Sequence, residues 1–304
     1  MQLGKISCII VAGSDNPWYR PDGVCTTEVL TGDFKTKQIP KLSVEISYTC
    51  MVMHNESILM CGGFDNIQKC LQLDHGTWKE HSTLNEKRND HSIVQTKKAS
   101  FIFGGSWSRK TYEYLPKGST TWVMGETEIP GMGFTNGCTI AVNSEQEIWL
   151  IGGEGGGPSN RIYSFNVNNH TFHEMATQLN IGRIGHRCAF IPNTNKIMVT
   201  GGCHSGFMSS TEILNSEDGS ITMASPMNSK RSGHGMGVIT INGEDQLAVF
   251  GGFSGHIWLD SVEVYNIRTE KWDLTDIRLN KPKDCFGFLT VKLSDAISAL
   301  SVDH

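Results

Sequence analysis

The clearest of six similar segments in this chain is Leu247-Ala248-Val249-Phe250-Gly251-Gly252, a short apolar run that ends in two glycines. Such a run predicts a buried strand that stops at a sharp turn. From Gly13 onward, the last glycine of successive runs advances by 50, 42, 48, 49 and 50 residues. Self-similarity at a nearly fixed period predicts repeat units. The other five runs end at Gly13, Gly62-Gly63, Gly104-Gly105, Gly152-Gly153 and Gly201-Gly202.

The sixth repeat shows the pattern of one unit most completely. Arg231-Ser232-Gly233-His234 opens a first strand, and Asn242-Gly243 predicts a hairpin turn into the glycine-ended strand. Two further strands follow, Val262-Glu263-Val264-Tyr265 and Lys271-Trp272-Asp273-Leu274. The unit is therefore predicted to be a four-stranded antiparallel meander. The Arg-x-x-His segment recurs at Arg88/His91 and at Arg183/His186.

This pattern resembles the kelch repeat, in which an Arg-x-x-His strand, a Gly-Gly strand, a Glu-Val-Tyr strand and a Trp strand follow one another. The resemblance implies an all-β fold, a six-bladed β-propeller of four-stranded antiparallel blades in a single domain over 1–304. Residues from Asp284 to Val291 are predicted to complete blade 1 as a closing C-terminal strand. The predicted blades are blade 1, about 5–42 with about 284–293; blade 2, about 45–84; blade 3, about 88–128; blade 4, about 134–177; blade 5, about 183–226; and blade 6, about 231–277.

Charge and composition narrow the class of partner. The net charge is -5 and the pI is about 6.1, which argues against nucleic acid or an anionic membrane. No apolar run approaches the roughly 18–20 residues of a membrane span. Nine cysteines without a C-x-x-C motif favour reduced thiols and a cytoplasmic location. The sequons at Asn55 and Asn169 keep secretion open as an alternative.

Two groups of residues are candidates for binding a partner. Arg88, Arg183 and Arg231 occupy the same repeat position, and on one face they would suit a partner that carries carboxylates. The loops after the glycine pairs carry residue types typical of binding hot spots, and we select Trp107, Arg109 and Trp258 from them. The alternative for each tryptophan is that it folds back onto its own blade. The repeated histidines are expected to hydrogen-bond neighbouring loops rather than a metal.

Signatures of enzymes are weak. The chain has no Tyr-His dipeptide, which copper oxidases of the galactose-oxidase type require. Glu154 and Arg161 are similar to a Glu and Arg pair of the sialic acid mutarotases, where a general base and a carboxylate-binding group would act together. This gives the alternative function, a carbohydrate- or sialic-acid-acting propeller. An ordinary loop salt bridge is the simpler interpretation, and we expect no enzymatic activity.

The sequence therefore predicts a protein-binding module that holds a peptide or loop of its partner at one face of the propeller. The resemblance to kelch proteins implies substrate adaptors of ubiquitin ligases or actin-associated proteins. We expect a monomer that needs no cofactor and no metal, and a protein partner that is acidic if the three arginines face it.

Overall fold

The computed structural model describes residues 7–14, 25–30, 36–39, 47–64, 68–131 and 133–292. In the segments up to residue 39, the description covers the backbone, with the side chain of Glu28 in addition. All the regular elements in these residues are strands, apart from one 3-10 turn at Asn143–Glu145. None of the helices in the described residues is long and apolar enough to cross a membrane.

The first three strands are β1 (Ser7–Ser14), β2 (Cys25–Leu30) and β3 (Thr36–Ile39). Twenty strands follow and form five blades, each made of four consecutive antiparallel strands. In chain order the blades are β4 (Cys50–His54), β5 (Ser57–Cys61), β6 (Lys69–Asp74) and β7 (Thr77–Thr83); β8 (Ser92–Gln95), β9 (Ala99–Phe103), β10 (Tyr112–Pro116) and β11 (Val123–Met124); β12 (Cys138–Val142), β13 (Glu147–Ile151), β14 (Ile162–Asn166) and β15 (Phe172–Glu174); β16 (Arg187–Phe190), β17 (Lys196–Thr200), β18 (Thr211–Asn215) and β19 (Ile221–Ala224); and β20 (Gly235–Ile241), β21 (Glu244–Phe250), β22 (Ser261–Asn266) and β23 (Lys271–Arg278).

The last strand, β24 (Gly287–Lys292), returns to the beginning of the chain. It pairs antiparallel with β1, with Thr290 opposite Ile9, in a further four-stranded sheet of order β24-β1-β2-β3. The β-propeller of four-stranded antiparallel blades is confirmed, but complete blades with described side chains number five, and not the six that the sequence predicted.

Packing between blades explains why the glycine-ended strands are so apolar. Each is the second strand of its blade and is covered on both faces, so that the Ile148–Ile151 segment of β13 is almost entirely buried. Its neighbours β12 and β17 contribute Ile140 and Val199 to one shared apolar cluster. The outer strands are amphipathic instead, and Trp272 of β23 lies opposite Tyr265 with ring centroids 5.3 Å apart. Apolar burial of this kind is the main force that holds neighbouring blades together.

The glycine pairs serve two purposes that follow from their backbone geometry. Gly251 and Gly252 have φ of 59° and 96°, in the left-handed region that glycine adopts without a steric penalty. Their strand therefore ends in a sharp turn. The Gly252 amide then donates to the carbonyl of Lys283, 2.7 Å away, in the segment that leads into β24. The equivalent amide of Gly202 donates to Arg231 over 2.7 Å, so each pair both ends a strand and binds the next segment.

Six residues close a ring of backbone hydrogen bonds around the propeller axis. Each lies just before a first strand of a sheet, and each has a left-handed φ between 49° and 65°. The amide of each donates to the carbonyl of the residue before it in the ring, and the N–O distances run from 2.7 to 3.3 Å. We name this feature the axial ring. Its members, in order, are Tyr48, Asp90, Asn136, Gly185, Gly233 and Cys285, and the amide of Tyr48 closes it onto Cys285.

One pair of cysteines departs from the sequence prediction. Cys61 of β5 and Cys70 of β6 stand directly opposite each other in the register of the hairpin, and they form a disulfide. The prediction of reduced thiols is therefore wrong for this pair, because the strand register brings two positions nine residues apart into contact. The described cysteines that are free thiols are Cys50, Cys138, Cys188, Cys203 and Cys285.

Candidate partner-binding site

The three repeated arginines are not exposed. All three have no solvent-accessible surface, and they are among the largest fully buried side chains of the described residues: Arg88, Arg183 and Arg231. Each forms an ion pair with a buried glutamate on the third strand of its own blade. The prediction that these arginines form a partner-binding face is therefore wrong, because their guanidinium groups are bonded to buried residues inside the blades. Their glutamate partners are Glu113, Glu212 and Glu263, respectively.

The network around Arg231 shows what this pair does. Its Nη2 donates to Glu263 Oε1 over 2.9 Å, and its Nη1 donates to the carbonyls of Gly251 and Ser261 over 2.6 and 2.9 Å. The same carboxylate accepts the backbone amides of Asn228 and Ser229. The pair therefore ties together the end of the second strand, the start of the third strand and the segment between blades. A buried ion pair is tolerated only when its remaining donors and acceptors are satisfied in this way.

Other residues occupy these positions in the blade of β12–β15 and at the start of β24. In the blade of β12–β15, Phe134 stands at the position of the arginine. The Phe134 carbonyl accepts a hydrogen bond from the Gly105 amide, just as the Arg231 carbonyl accepts one from the Gly202 amide. Tyr163 of β14 stands at the glutamate position there, and both side chains lie in one apolar cluster. At the start of β24 the pair is Lys283 with Glu28, 3.6 Å apart. The glutamates were visible in the sequence, but their pairing was not.

Two of the three repeated histidines have hydrogen-bond partners in the preceding blade, whereas the buried ring nitrogens of His91 have none among the described residues. His186 Nε2 donates to the carbonyl of Ile151 over 3.0 Å, in the preceding blade. His234 Nε2 forms a 2.8 Å hydrogen bond with Thr200 Oγ1, again across the blade boundary. Burial lowers the pKa of both rings, so they are neutral. No group of three or more His, Cys, Asp or Glu side chains in the described residues is arranged to hold a metal ion.

A cavity of about 270 Å³ opens at the axial ring, on the face that carries the loops after the glycine pairs. Segments from different repeats therefore meet at one site. Its wall combines ring residues, side chains of the loops that follow, and the first residues of two inner strands. The residues that matter for its chemistry are Tyr48, Asp90, Arg187, Phe207, Phe253 and Asp284.

The cavity contains two carboxyl groups in an unfavourable setting. Burial raises the pKa of Asp90 to about 6, although a hydrogen bond from Ser106 and the charge of Arg187 act in the opposite direction. Burial likewise raises the pKa of Asp284 to about 6, against a smaller lowering by the nearby indole of Trp258. The Asp284 Oδ1 atom is buried without a hydrogen-bond partner in good geometry. Ionisation of these two carboxyls lowers the stability of the folded protein, so an additional favourable contact with a ligand would stabilise it.

The predicted hot-spot side chains on these loops differ in how far they are exposed to solvent. The side chain of Trp107 is 70% exposed and that of Arg109 is also exposed, so both are open to a partner. Trp258 is mostly buried and packs on Phe253 with ring centroids 5.1 Å apart. Trp258 therefore corresponds to the loop anchor that was the alternative. Sequence analysis did not single out Ile257, which is 60% exposed beside it.

Glu154 and Arg161 do not come together as a catalytic pair. Arg161 lies on the outer side of its blade and forms an ion pair with Glu174 of β15, 3.3 Å away. Glu154 is half-buried, and its backbone amide donates to Thr135 near the axial ring. Arg161 therefore makes an ordinary salt bridge, but with a partner other than Glu154. This placement gives no support to the mutarotase-like alternative.

A comparison with protein families agrees with this fold. The family model described as the KLHDC2/KLHL20/DRC7 Kelch-repeats domain matches residues 137–298. The chain therefore belongs to this family of kelch-repeat domains, whose propellers generally mediate protein–protein interaction. No curated protein matches the chain.

We expect the buried ion pair to be far more important for stability than an exposed one. Arg231→Met should lower the free energy of unfolding by about 3–5 kcal/mol, because Glu263 would keep a buried, uncompensated charge. Arg268→Met removes the exposed pair with Glu244 and should cost less than about 1 kcal/mol. The double variant Arg231→Phe/Glu263→Tyr, which copies the blade of Phe134, should lose less than Arg231→Met. Urea unfolding measures all three, and equal losses for Arg231→Met and Arg268→Met would contradict this assignment.

The two cavity carboxyls predict a pH dependence of stability. Their pKa is about 6 in the folded protein, against an ordinary value of 3.8. Between these two pH values the folded state therefore binds more protons than the unfolded state. The free energy of unfolding should therefore fall as the pH rises from about 4 to 6, by up to about 3 kcal/mol per carboxyl. Asp90→Asn and Asp284→Asn should each reduce this fall and raise the melting temperature at pH 7.5. Asp273→Asn, at an exposed position, is the control, and an unchanged pH profile in the first two variants would refute the prediction.

Proposed function

We propose that this propeller is a protein-binding module that holds a peptide or loop of its partner on the loop face, over the axial cavity. The observation that carries the proposal is that three of the seven exposed large apolar side chains in the described residues, among them the two most exposed, lie in the loops after the glycine pairs. Trp107 and Ile257 are 70% and 60% exposed, and Phe64 is 48% exposed. Exposed aromatic and aliphatic groups around a concave site are typical of interaction surfaces.

The rigid frame beneath these loops supports the same conclusion. The loop after each glycine pair is bonded to the segment next to the axial ring, as Phe64 is to Ser47 and Ser106 is to Asn89. A partner would therefore meet loops whose first residues are already fixed to the frame. Binding then costs little conformational entropy in the propeller, which favours affinity.

We also propose that the sheet of β1, β2, β3 and β24 is the sixth blade that closes the propeller. Its support comes from the axial ring, where Cys285 bonds Gly233 on one side and Tyr48 on the other. The strand β24 that follows Cys285 contacts the first strands β20 and β4 of the flanking blades. A closed propeller has no exposed inner strand edge, which removes a cause of aggregation.

Two more specific roles, as a ubiquitin-ligase adaptor or as an actin-associated protein, are proposals that depend on the first one. A substrate adaptor of a ubiquitin ligase would use the loop face to hold the substrate, and an actin-associated protein would use the same face for its filament or regulator. The cytoplasmic location and the monomeric state stay predictions. The acidic character predicted for the partner has lost its basis, because the three arginines from which it was inferred are buried.

The experiment compares a pair of exposed apolar positions on the loop face with one exposed apolar position on the outer surface. Trp107→Ala/Ile257→Ser alters the loop face, whereas Leu274→Ser alters a side chain of β23 that is 55% exposed on the outer surface. We expect affinity capture with mass spectrometry to lose a defined set of proteins with the first variant and to keep it with the second. Purified members of that set should then bind wild type at least about tenfold more tightly than the loop variant. Equal recovery by both variants, or loss confined to Leu274→Ser, would reject the loop face as the binding surface.

A further inference from the structure

The negative charges of the axial cavity are concentrated on one side. Asp284, Tyr48 and Asp90 belong to three successive segments of the axial ring. The ring bond from Tyr48 to Cys285 is 2.7 Å long and the bond from Asp90 to Tyr48 is 3.3 Å long, so these segments are direct neighbours. The two carboxyl groups therefore flank Tyr48. The pKa of Tyr48 is raised by burial, by Cys285 and by both carboxylates, in agreement with this placement.

Within the part of the chain that the structure describes, neither carboxyl has a counter-ion at contact distance. Asp90 Oδ2 accepts a hydrogen bond from Ser106 Oγ over 3.1 Å, which is a neutral donor. Asp284 Oδ1 has no hydrogen-bond partner in good geometry among the described residues, and the side-chain donor that lowers the pKa of this carboxyl is the neutral indole of Trp258. Among the described residues, no Lys, Arg or His nitrogen forms a salt bridge with either group. A half-buried carboxylate without a counter-ion is unfavourable, so a cation brought by a ligand would recover part of that free energy.

Among the described residues of the cavity wall, Arg187 is the one Lys or Arg residue, and it does not cancel this charge. Its Nη1 donates to the carbonyl of His186 over 3.0 Å. It attracts Asp90 at longer range, while Glu154 adds a negative charge that acts on the same carboxyl. The cavity wall holds Asp90 and Asp284 against the single guanidinium of Arg187. With both carboxyls ionised, the cavity is therefore negative.

The loops of the last two blades add aromatic groups to the wall. Phe207 and Phe253 line the cavity, and their rings meet edge to face with centroids 5.2 Å apart. Phe253 is held by Trp258 and by reciprocal backbone bonds with Ser232, next to the axial ring. The negative faces of aromatic rings attract ammonium and guanidinium groups. Carboxylates and aromatic rings in one cavity are thus the two chemical partners that a cation requires.

We propose that the axial cavity binds a cationic side chain, a lysine or an arginine, carried by the partner segment. This inference rests on the proposed function and specifies the chemistry of the same site. The volume of about 270 Å³ is sufficient for one long side chain. The specificity is the reverse of the acidic partner that the sequence suggested, because the arginines lie inside the blades and the carboxyls lie in the cavity.

The first test uses small probes, since it needs no identified partner. Nα-acetyl-lysine methylamide and Nα-acetyl-arginine methylamide are titrated into wild type, and the amide resonances of Tyr48, Asp90 and Cys285 are followed by NMR. Nα-acetyl-norleucine methylamide is the neutral control of similar length, and Nα-acetyl-glutamate methylamide is the acidic one. We expect saturable shifts with the two cationic probes and at least about tenfold weaker binding of both controls. Tighter binding of the glutamate probe, or equal binding of lysine and norleucine probes, would overturn the proposal.

The second test uses Asp90→Asn/Asp284→Asn. This variant should bind the cationic probes at least about tenfold more weakly while its melting temperature at pH 7.5 rises, so that lost binding cannot be a result of unfolding. Glu147→Gln, on the strand β13 outside the cavity lining, is the control for charge. If the carboxyl variant still captures the proteins that depend on Trp107, the cation proposal fails and the proposed function stands. If capture does not depend on Trp107 at all, the proposed function itself fails.

Discussion

The axial ring is the constraint on which the rest of this structure depends. Six residues from separate parts of the chain each donate one backbone hydrogen bond to the residue before them in the ring, and each must adopt a left-handed φ to do so. That conformation is unfavourable for Tyr48 and Cys285, and it costs on the order of 1–3 kcal/mol at a residue other than glycine, asparagine or aspartate. The ring closes because neighbouring blades hold all six segments in place at once.

The buried ion pairs are the means by which the blades hold those segments. Arg231 lies two residues before Gly233, a member of the axial ring. Its side chain bonds Glu263 and the carbonyl of Gly251. Its own carbonyl accepts from Gly202 of the preceding blade. One residue thus connects its own blade, the blade before it and the axial ring. The replacement of this pair by Phe134 and Tyr163 shows that apolar packing performs the same task, as expected where ion pairs and hydrophobic pairs are close in net stability.

The sequence was sufficient for the fold because the fold is repetitive. Period, glycine pairs and the Asn242-Gly243 turn are local signals, and each corresponds to an observed turn or strand end. The site was less predictable, because burial of a charged side chain depends on a partner in another strand. The glutamate that pairs with Arg231 is 32 residues away, and no local pattern relates the two. A better signal lay in the residue before each histidine, Asp90, Gly185 or Gly233, since these types favour the left-handed conformation.

The cavity follows from the ring and not from any one motif, which is why sequence analysis missed it. Asp90 and Asp284 are unremarkable in the sequence, and they become a pair only when the ring places their segments on either side of Tyr48. Their buried charge lowers stability at neutral pH, a cost that natural proteins accept at functional sites. The exposed loop residues and the carboxyls thus belong to one surface with apolar and electrostatic parts.

The most direct test of this account is amide hydrogen exchange at the axial ring. If the ring closes as described, the amides of Asn136, Gly185 and Gly233 exchange only when the whole propeller unfolds. Their protection should then equal that of the buried strand amides of β13, although they lie outside any strand. Exchange of these ring amides that is orders of magnitude faster than in β13 would show that the segments open locally, and it would contradict the ring as the constraint that shapes the binding site.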